Sequence, residues 1–199
     1  GVQQVVDPPL GSAELGGQRR QAAPVRAVDQ PVEEPFVSGG PAVQGDAEAM
    51  RPLADDWGVA GMLSSMPYPY ASADAQAWED RAVICDFDKT AEFVIEHRNF
   101  GVVGVIGFKP DGDGRTDLGY WLGRPYWNRG YATEAARAAL KWVKRDWRKR
   151  FVVAGHFADN PASGQVLCKA GFLYTGEVEQ RASKARKTDA ALRKMVWLA

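Results

Sequence analysis

The sequence predicts an α/β chain of the α+β kind, with a mixed, mostly antiparallel sheet and helices on both of its faces. Three observations carry this. Strand and helix patterns alternate from residue 46 onward. Val102–Phe108 is a continuous apolar run, as a strand covered on both faces requires. Pro110-Asp111-Gly112-Asp113-Gly114 is a turn that folds this strand back on Leu118–Leu122 as an antiparallel hairpin.

Residues 1–45 differ from the rest. They hold 6 of the 12 prolines and 7 of the 21 glycines, with Phe36 as their one aromatic, while all seven tryptophans lie at Trp57 or later. A stretch with so little to bury does not offset its ordering entropy. It is read as a flexible or loosely docked arm with a weak strand pattern near Pro35–Ser38, and residues 46–199 as the folded domain.

Asp46 is placed to cap a helix through Met50, Leu53 and Ala54 toward Met62. Pro67-Tyr68-Pro69-Tyr70 breaks the pattern, and Ser72 then caps Ala73–Ala82. Glu92–Glu96 alternates, with Phe93 and Ile95 on one face. After the hairpin, Ala132–Trp147 shows a stripe of Ala135, Ala136, Ala139, Leu140 and Val143 opposite Arg137, Lys141, Lys144 and Arg145. Phe151–Phe157 reads as a strand. Asn160 or Asp159 caps a short helix with Pro161 first and Gly171 at its end. Tyr174–Gln180 and Leu192–Leu198 close the sheet around a basic loop, Arg181–Lys187.

Composition excludes several classes. Lys+Arg and Asp+Glu tie at 25 each, so no global charge selects DNA. Residues 141–199 nevertheless carry 13 basic and 5 acidic side chains, while 41–140 carry 9 and 15. The basic excess is read as a solvated face or a surface toward phosphate. Cys85, Cys168, His97 and His156 are scattered, so neither a disulfide framework nor a metal site is expected. Cys85 and Cys168 are read as packing residues. The longest apolar run is far short of a membrane span, and no secretory leader pattern is present. A reducing, cytoplasmic location is the expectation.

Chemistry is concentrated in Trp127-Asn128-Arg129-Gly130-Tyr131-Ala132-Thr133, between the third strand pattern and the long helix. A helix start leaves N–H groups without intrahelical acceptors and carries partial positive charge. Gly130 and Ala132 give an anion room to approach the backbone, and Arg129 adds a full charge. The segment is neither a Walker loop nor a dinucleotide fingerprint. On its own it is equally a plain strand-to-helix turn.

Asn160-Pro161-Ala162-Ser163, Val166-Leu167 and Lys169-Ala170-Gly171-Phe172 follow in order. With them, the chain resembles the GNAT superfamily of acyl-CoA-dependent N-acetyltransferases. Gly130-Tyr131-Ala132-Thr133-Glu134-Ala135 is similar to that family's pyrophosphate turn, and Leu118-Gly119-Tyr120-Trp121-Leu122 to its fourth strand. Tyr126-Trp127 before the turn is similar to the branch that acetylates ribosomal-protein N-termini. The resemblance spans about Asp46 to Leu198. Two departures stand out. Residues 30–45 lack the family's first-strand pattern, so either the arm supplies a substitute or the sheet lacks that strand. Where many members carry a tyrosine that protonates the departing thiolate, this chain has Leu167.

The resemblance implies direct attack of an amine on acetyl-CoA in a ternary complex, with acetyl-CoA as cosubstrate and no metal. It also implies that the fourth and fifth strands splay to admit the pantetheine arm. Trp121 or Leu122 would offer a backbone N–H to the thioester carbonyl. Trp127, Asn128, Arg129, Gly130, Tyr131, Ala132 and Thr133 would hold the pyrophosphate, and Asn160 the pantetheine amides or its own helix. Candidate bases are His156, Asp117 and Glu96, histidine being the side chain with an ordinary pKa nearest neutrality. His156 also reads as a strand histidine facing a neighbour, and Asp117 and Glu96 as solvated strand residues. Ser163 is the candidate thiolate donor, or a first-turn residue bonding backbone. Trp57, Met66, Tyr68 and Tyr70 would wall the acceptor site, or pack as core. The acceptor, a small amine or a protein N-terminus, is left open, and the family relation admits a homodimer. Two other classes use the same turn: an acyl-CoA-binding module without turnover, and a nucleotide-binding regulatory domain.

Overall fold

The computed structural model describes residues 37–199. The first 36 residues of the expected arm lie outside the described residues. Its last part is not an arm: β1 (Val37–Pro41) pairs antiparallel with β2 (Ala91–His97), Val37 opposite His97 and Pro41 opposite Phe93. This is the substitute first strand. It includes Val37 and Ser38 of the weak pattern at Pro35–Ser38, whose first two residues lie outside the described residues, and it runs on through Gly39 and Gly40, which carry no alternation to read. Pro41 is tolerated at the edge of a sheet.

Seven strands follow the order β1-β2-β3-β4-β5-β7-β6, with β3 Gly101–Pro110, β4 Thr116–Leu122, β5 Phe151–Phe157, β6 Leu173–Ser183 and β7 Thr188–Leu198. Every neighbouring pair is antiparallel except β4 and β5. The apolar run of β3 has the predicted reason. Val103, Ile106 and Phe108 face the core under the long helix, while Val102 and Val105 face the cores under the first helices. Asp111 shapes the hairpin turn by accepting from the N–H groups of Asp113 (2.9 Å) and Arg115 (2.8 Å).

The helix predicted over 46–62 is two helices, α1 (Asp46–Ala54) and α2 (Trp57–Ala60). Asp56 is extended and its carboxylate accepts from Gly58 N–H (2.7 Å), so a second cap restarts the chain inside the pattern. Asp46 is the first helical residue rather than the cap, which is Gly45, and Ala71 rather than Ser72 precedes α3 (Ser72–Val83). Buried Glu79 on α3 accepts from the N–H groups of Gly45 and Ala47 at 2.8 Å each, tying α3 to the start of α1.

α4 (Tyr131–Trp142) continues into a π-helical turn, Val143–Trp147, and α5 (Pro161–Ala170) follows β5. The extra residue in the π turn brings Trp147 beside Trp142 and Phe108, with centroids 5.0 and 5.9 Å away. Phe93 meets Trp142 edge-on at 5.0 Å. These rings hold α4 on the sheet and so fix where its N-terminus points. No helix among the described residues is long and apolar enough to cross a membrane.

The β6–β7 hairpin tip is fastened across the sheet to the segment after α2. Lys184 N–H donates to the Ser64 carbonyl (3.0 Å) and Ser183 Oγ to the Leu63 carbonyl (3.0 Å). Arg186 donates to the Gly61 carbonyl, pairs with Asp159 (2.7 Å) and lies 4.6 Å over the Phe157 ring. The loop read as a solvated basic face therefore spends Arg186 internally. Removing charge-assisted bonds of this kind costs about 1.5–3 kcal/mol. Arg186→Ala is expected to lower the denaturant midpoint by an amount corresponding to about 2 kcal/mol. Arg186→Lys, which loses the planar fork, should recover less than half of it.

Candidate active site

The site grows out of the one parallel pair. β4 and β5 are in register only at Asp117 opposite Val153 and Leu118 opposite Ala154. Beyond Leu118 the strands part, so the edge of β4 from Gly119 to Leu122 opens onto a gap rather than onto β5. Crevices at the carboxyl ends of diverging parallel strands are the usual ligand position in α/β sheets. Here the gap widens into a cleft of about 680 Å³.

At one end the cleft meets the start of α4. Gly130 caps that helix at φ +84°, and nothing lies within 4 Å of where a side chain would begin. Asn128 is also left-handed, at φ 59°. At the helix start Glu134 N–H donates to the Gly130 carbonyl at 3.0 Å. The N–H groups of Ala132 and Thr133 lie in the first turn, where helix geometry provides no intrahelical acceptor. Trp121, Leu122, Trp127, Asn128, Gly130, Tyr131, Ala132 and Thr133 all line the cleft; Arg129 is exposed and does not. The Trp127 indole N–H donates to the Leu122 carbonyl (2.7 Å), fastening the turn to the end of β4. A guanidinium, Arg124, lies 5.9 Å from the Trp127 ring centroid and pairs with Asp56 at 2.7 Å, linking the turn to α2.

On the α4–α5 face of the gap stand Tyr120, His156, Asn160 and Ser163. Asn160 caps α5, its side-chain oxygen accepting from Ser163 N–H at 3.2 Å. Tyr120 crosses from β4 to Ser163, and burial pushes its pKa up to about 12. His156 is buried with both nitrogens engaged: Nδ1 lies 2.8 Å from the Phe157 carbonyl and Nε2 2.9 Å from the Tyr174 hydroxyl. A carbonyl partner requires a hydrogen on Nδ1, and Nε2 shares a hydrogen bond with the Tyr174 hydroxyl, which can donate or accept. Gly164 makes this possible, because a β-carbon there would stand 2.5 Å from the Tyr174 oxygen and 2.6 Å from Nε2. His156 thus faces Tyr174, with both of its ring nitrogens at hydrogen-bond distance from a partner.

On the opposite face, alternation along β4 turns Asp117, Gly119 and Trp121 toward the α1–α3 side. Asp117 borders the cleft with Lys109, Arg181 and Lys194. Burial raises its pKa to about 6, against the attraction of Lys109 and Arg181. Lys109 stands directly across the strand pair from it. Glu96 lies exposed on β2, opposite Ser38 and Val102, and does not line the cleft, which removes it as a candidate base.

The four residues expected to wall the acceptor site stand away from the cleft. Met66 and Tyr70 are buried in the core with Met50 and Val59. Trp57 and Tyr68 are exposed and meet edge to face at 5.4 Å. None of the four lines the cleft; Gly58, Val59, Met62, Leu63, Ser64 and Ser65 do. Aliphatic and small residues of α2 and the segment after it border the gap, while the aromatic rings of this region lie elsewhere. Cys168 is exposed rather than packed, and neither cysteine lines the cleft. In the sequence Tyr120 is one residue of a strand pattern; its hydroxyl gains meaning from α5, 43 residues away. Among the described residues no three His, Cys, Asp or Glu side chains converge as metal ligands.

Residues 41–173 match the family model described as the acetyltransferase (GNAT) domain. Over 82 residues the chain is 28% identical to an uncharacterized N-acetyltransferase, YjdG, of Bacillus subtilis (strain 168), covering 40% of this chain and 49% of that protein. The match thus spans about half the length of that relative. Among solved structures, the microcin C7 self-immunity acetyltransferase MccE, in complex with acetyl-CoA and AMP, superposes with a TM-score of 0.71 at 17% identity, over 82% of this chain and 93% of that one. RimL, a ribosomal L7/L12 alpha-N-protein acetyltransferase in complex with coenzyme A, gives 0.70 at 16%, over 82% and 94%. Spermidine N-acetyltransferase from Vibrio cholerae, in complex with CoA and spermine, gives 0.67 at 13%, over 82% and 95%. At such identities the likeness is one of fold.

Proposed function

The chain belongs to the acetyltransferase (GNAT) domain family, and on that premise we propose that it transfers an acetyl group from acetyl-CoA to a primary amine by direct attack, both reactants held in the one cleft. The observation that carries this is the continuity of the cleft. It runs from the donor-lined start of α4 at Gly130, through the opening between β4 and β5, to the carboxyl of Asp117. Acetyl-CoA supplies an activated acyl group and a thiolate leaving group. The residues supply position and charge. The N–H groups of Ala132 and Thr133 hold the diphosphate, with the helix dipole behind them. Asn160 and the unpaired edge of β4 hold the amide arm, and an N–H at Trp121 or Leu122 meets the carbonyl oxygen.

Chemical balance assigns the remaining roles. The amine nitrogen bonds to the carbonyl carbon, the C–S bond breaks, and its electron pair leaves on sulfur. Asp117 receives the proton that nitrogen loses, directly or through one water. Ser163 offers its hydroxyl to the departing sulfur. Holding both reactants in one site supplies much of the rate. Metal-free chemistry, a cytoplasmic location and a homodimer belong to the same reading. The acceptor class is an experimental variable, since the matched structures include enzymes as unlike as a spermidine N-acetyltransferase and a ribosomal L7/L12 alpha-N-protein acetyltransferase.

Free-thiol release from acetyl-CoA across a panel of amino acids, peptides, polyamines and aminoglycosides tests the proposal, with calorimetry on acetyl-CoA, CoA and ATP beside it. Tight acetyl-CoA binding and turnover of one amine class is the expected result. Binding without thiol release across the panel would make the chain an acyl-CoA-binding module. ATP bound in preference to acetyl-CoA would make it a nucleotide-binding domain.

A further inference from the structure

We infer that Tyr120 is the positioning residue for Ser163, holding the serine hydroxyl so that its hydrogen is directed into the cleft, at the sulfur that leaves. The inference rests on the acetyl-transfer reading above and on Ser163 as the donor to that sulfur. Its support is geometric. Tyr120 stands two residues beyond Leu118, the last residue of β4 in register with β5. Its phenol crosses from one wall of the gap to the other, with the hydroxyl 2.8 Å from Ser163 Oγ and 3.0 Å from the Ser163 carbonyl. Both residues line the cleft. Ser163 is the one hydroxyl residue in α5, and Leu167, a turn later, is buried in the core.

A serine hydroxyl has one hydrogen and two acceptor lone pairs. Left alone on a helix it bonds a carbonyl of the preceding turn. Here the chain around it is pinned by the Asn160 cap; the phenol's one hydrogen is within reach of both the Ser163 carbonyl (3.0 Å) and Oγ (2.8 Å), and we place it on Oγ, the nearer of the two. Burial keeps the phenol protonated through neutral pH, its pKa being about 12. With one lone pair taken by Tyr120, the serine keeps its own hydrogen for the cleft. Neither residue gives up a proton. They lower the energy of the sulfur anion by hydrogen bonding, and the proton released by the amine goes to Asp117 as before.

The test is steady-state thiol release by the full chain with its best amine, for Tyr120→Phe, Ser163→Ala, Ser163→Thr and the double variant Tyr120→Phe/Ser163→Ala. Each of Tyr120→Phe and Ser163→Ala should lower kcat about tenfold, with KM for acetyl-CoA within about twofold of the parent. Ser163→Thr should keep most of kcat. The double variant should be no slower than Ser163→Ala within about twofold, because Tyr120 acts through that serine. A parental kcat in Tyr120→Phe, or a double variant slowed by the product of the two effects, overturns the inference. Should Tyr120→Phe fail to fold, Tyr120→Met, apolar and of similar bulk, takes the same measurement. A parental kcat in Ser163→Ala removes the serine role and this inference while acetyl transfer stands. No thiol release by the parent with any amine overturns both readings at once.

Discussion

Gly130→Glu is expected to weaken acetyl-CoA binding at least about a hundredfold in a chain that still folds. Two effects act at this position and can be separated. The first is backbone strain. Gly130 sits at φ +84°, where an L side chain costs about 1–2 kcal/mol. Any substitution pays that, so Gly130→Ala carries it too. The second is charge. A carboxylate about 5 Å from a diphosphate, at an effective dielectric near 20, repels it by about 3 kcal/mol per pair of charges. It also opposes the positive end of α4. Space at the position is open, so bulk displaces no core residue. Both variants should lose similar thermal stability, while only Gly130→Glu loses the cofactor by calorimetry. Equal affinity in the parent and Gly130→Glu would mean that the diphosphate binds elsewhere.

The helix start at Gly130 was legible because its signal is local. A glycine before an alanine-rich amphipathic helix announces a helix start with room for an anion, and the apolar run of β3 announces a strand covered on both faces. The rest was set at long range. β1 carries Gly39, Gly40 and Pro41, and only the backbone of β2 makes it a strand. The restart at Asp56 hides inside a helix pattern because Asp55-Asp56 suits a helix surface as well as a cap. Arg186 looked like one cation among many until folding brought it to Gly61, Asp159 and Phe157. His156 could be a base by residue type, but Tyr174, 18 residues on, stands against its Nε2. Asp117 read as a solvated strand residue, because nothing in a hairpin sequence announces that one side of it will be covered.

Asp117→Asn is expected to make the chain slower and more stable at the same pH. In the parent, the pKa of about 6 places the working carboxylate at neutral pH. The rate should fall about tenfold per unit below pH 6 and level off above it. Without the base, kcat at pH 8 should drop about a hundredfold or more, and the acid limb near pH 6 should vanish. Stability moves the other way. Folding raises this pKa above its ordinary value of 3.8. The native state therefore binds the proton more tightly than the unfolded chain, and stability is lost as pH rises from about 4 through about 6. The loss is on the order of 3 kcal/mol, and the asparagine variant does not incur it. Urea midpoints at pH 8 should therefore favour Asp117→Asn over the parent, with the advantage shrinking toward pH 4. Lys109→Gln supplies the complementary shift: removing a cation that now holds the pKa down should move the acid limb to higher pH while leaving a limb to see. A purely structural aspartate would lower activity and stability together, so opposite signs in one variant identify Asp117 as a carboxylate kept ionised at the expense of the fold.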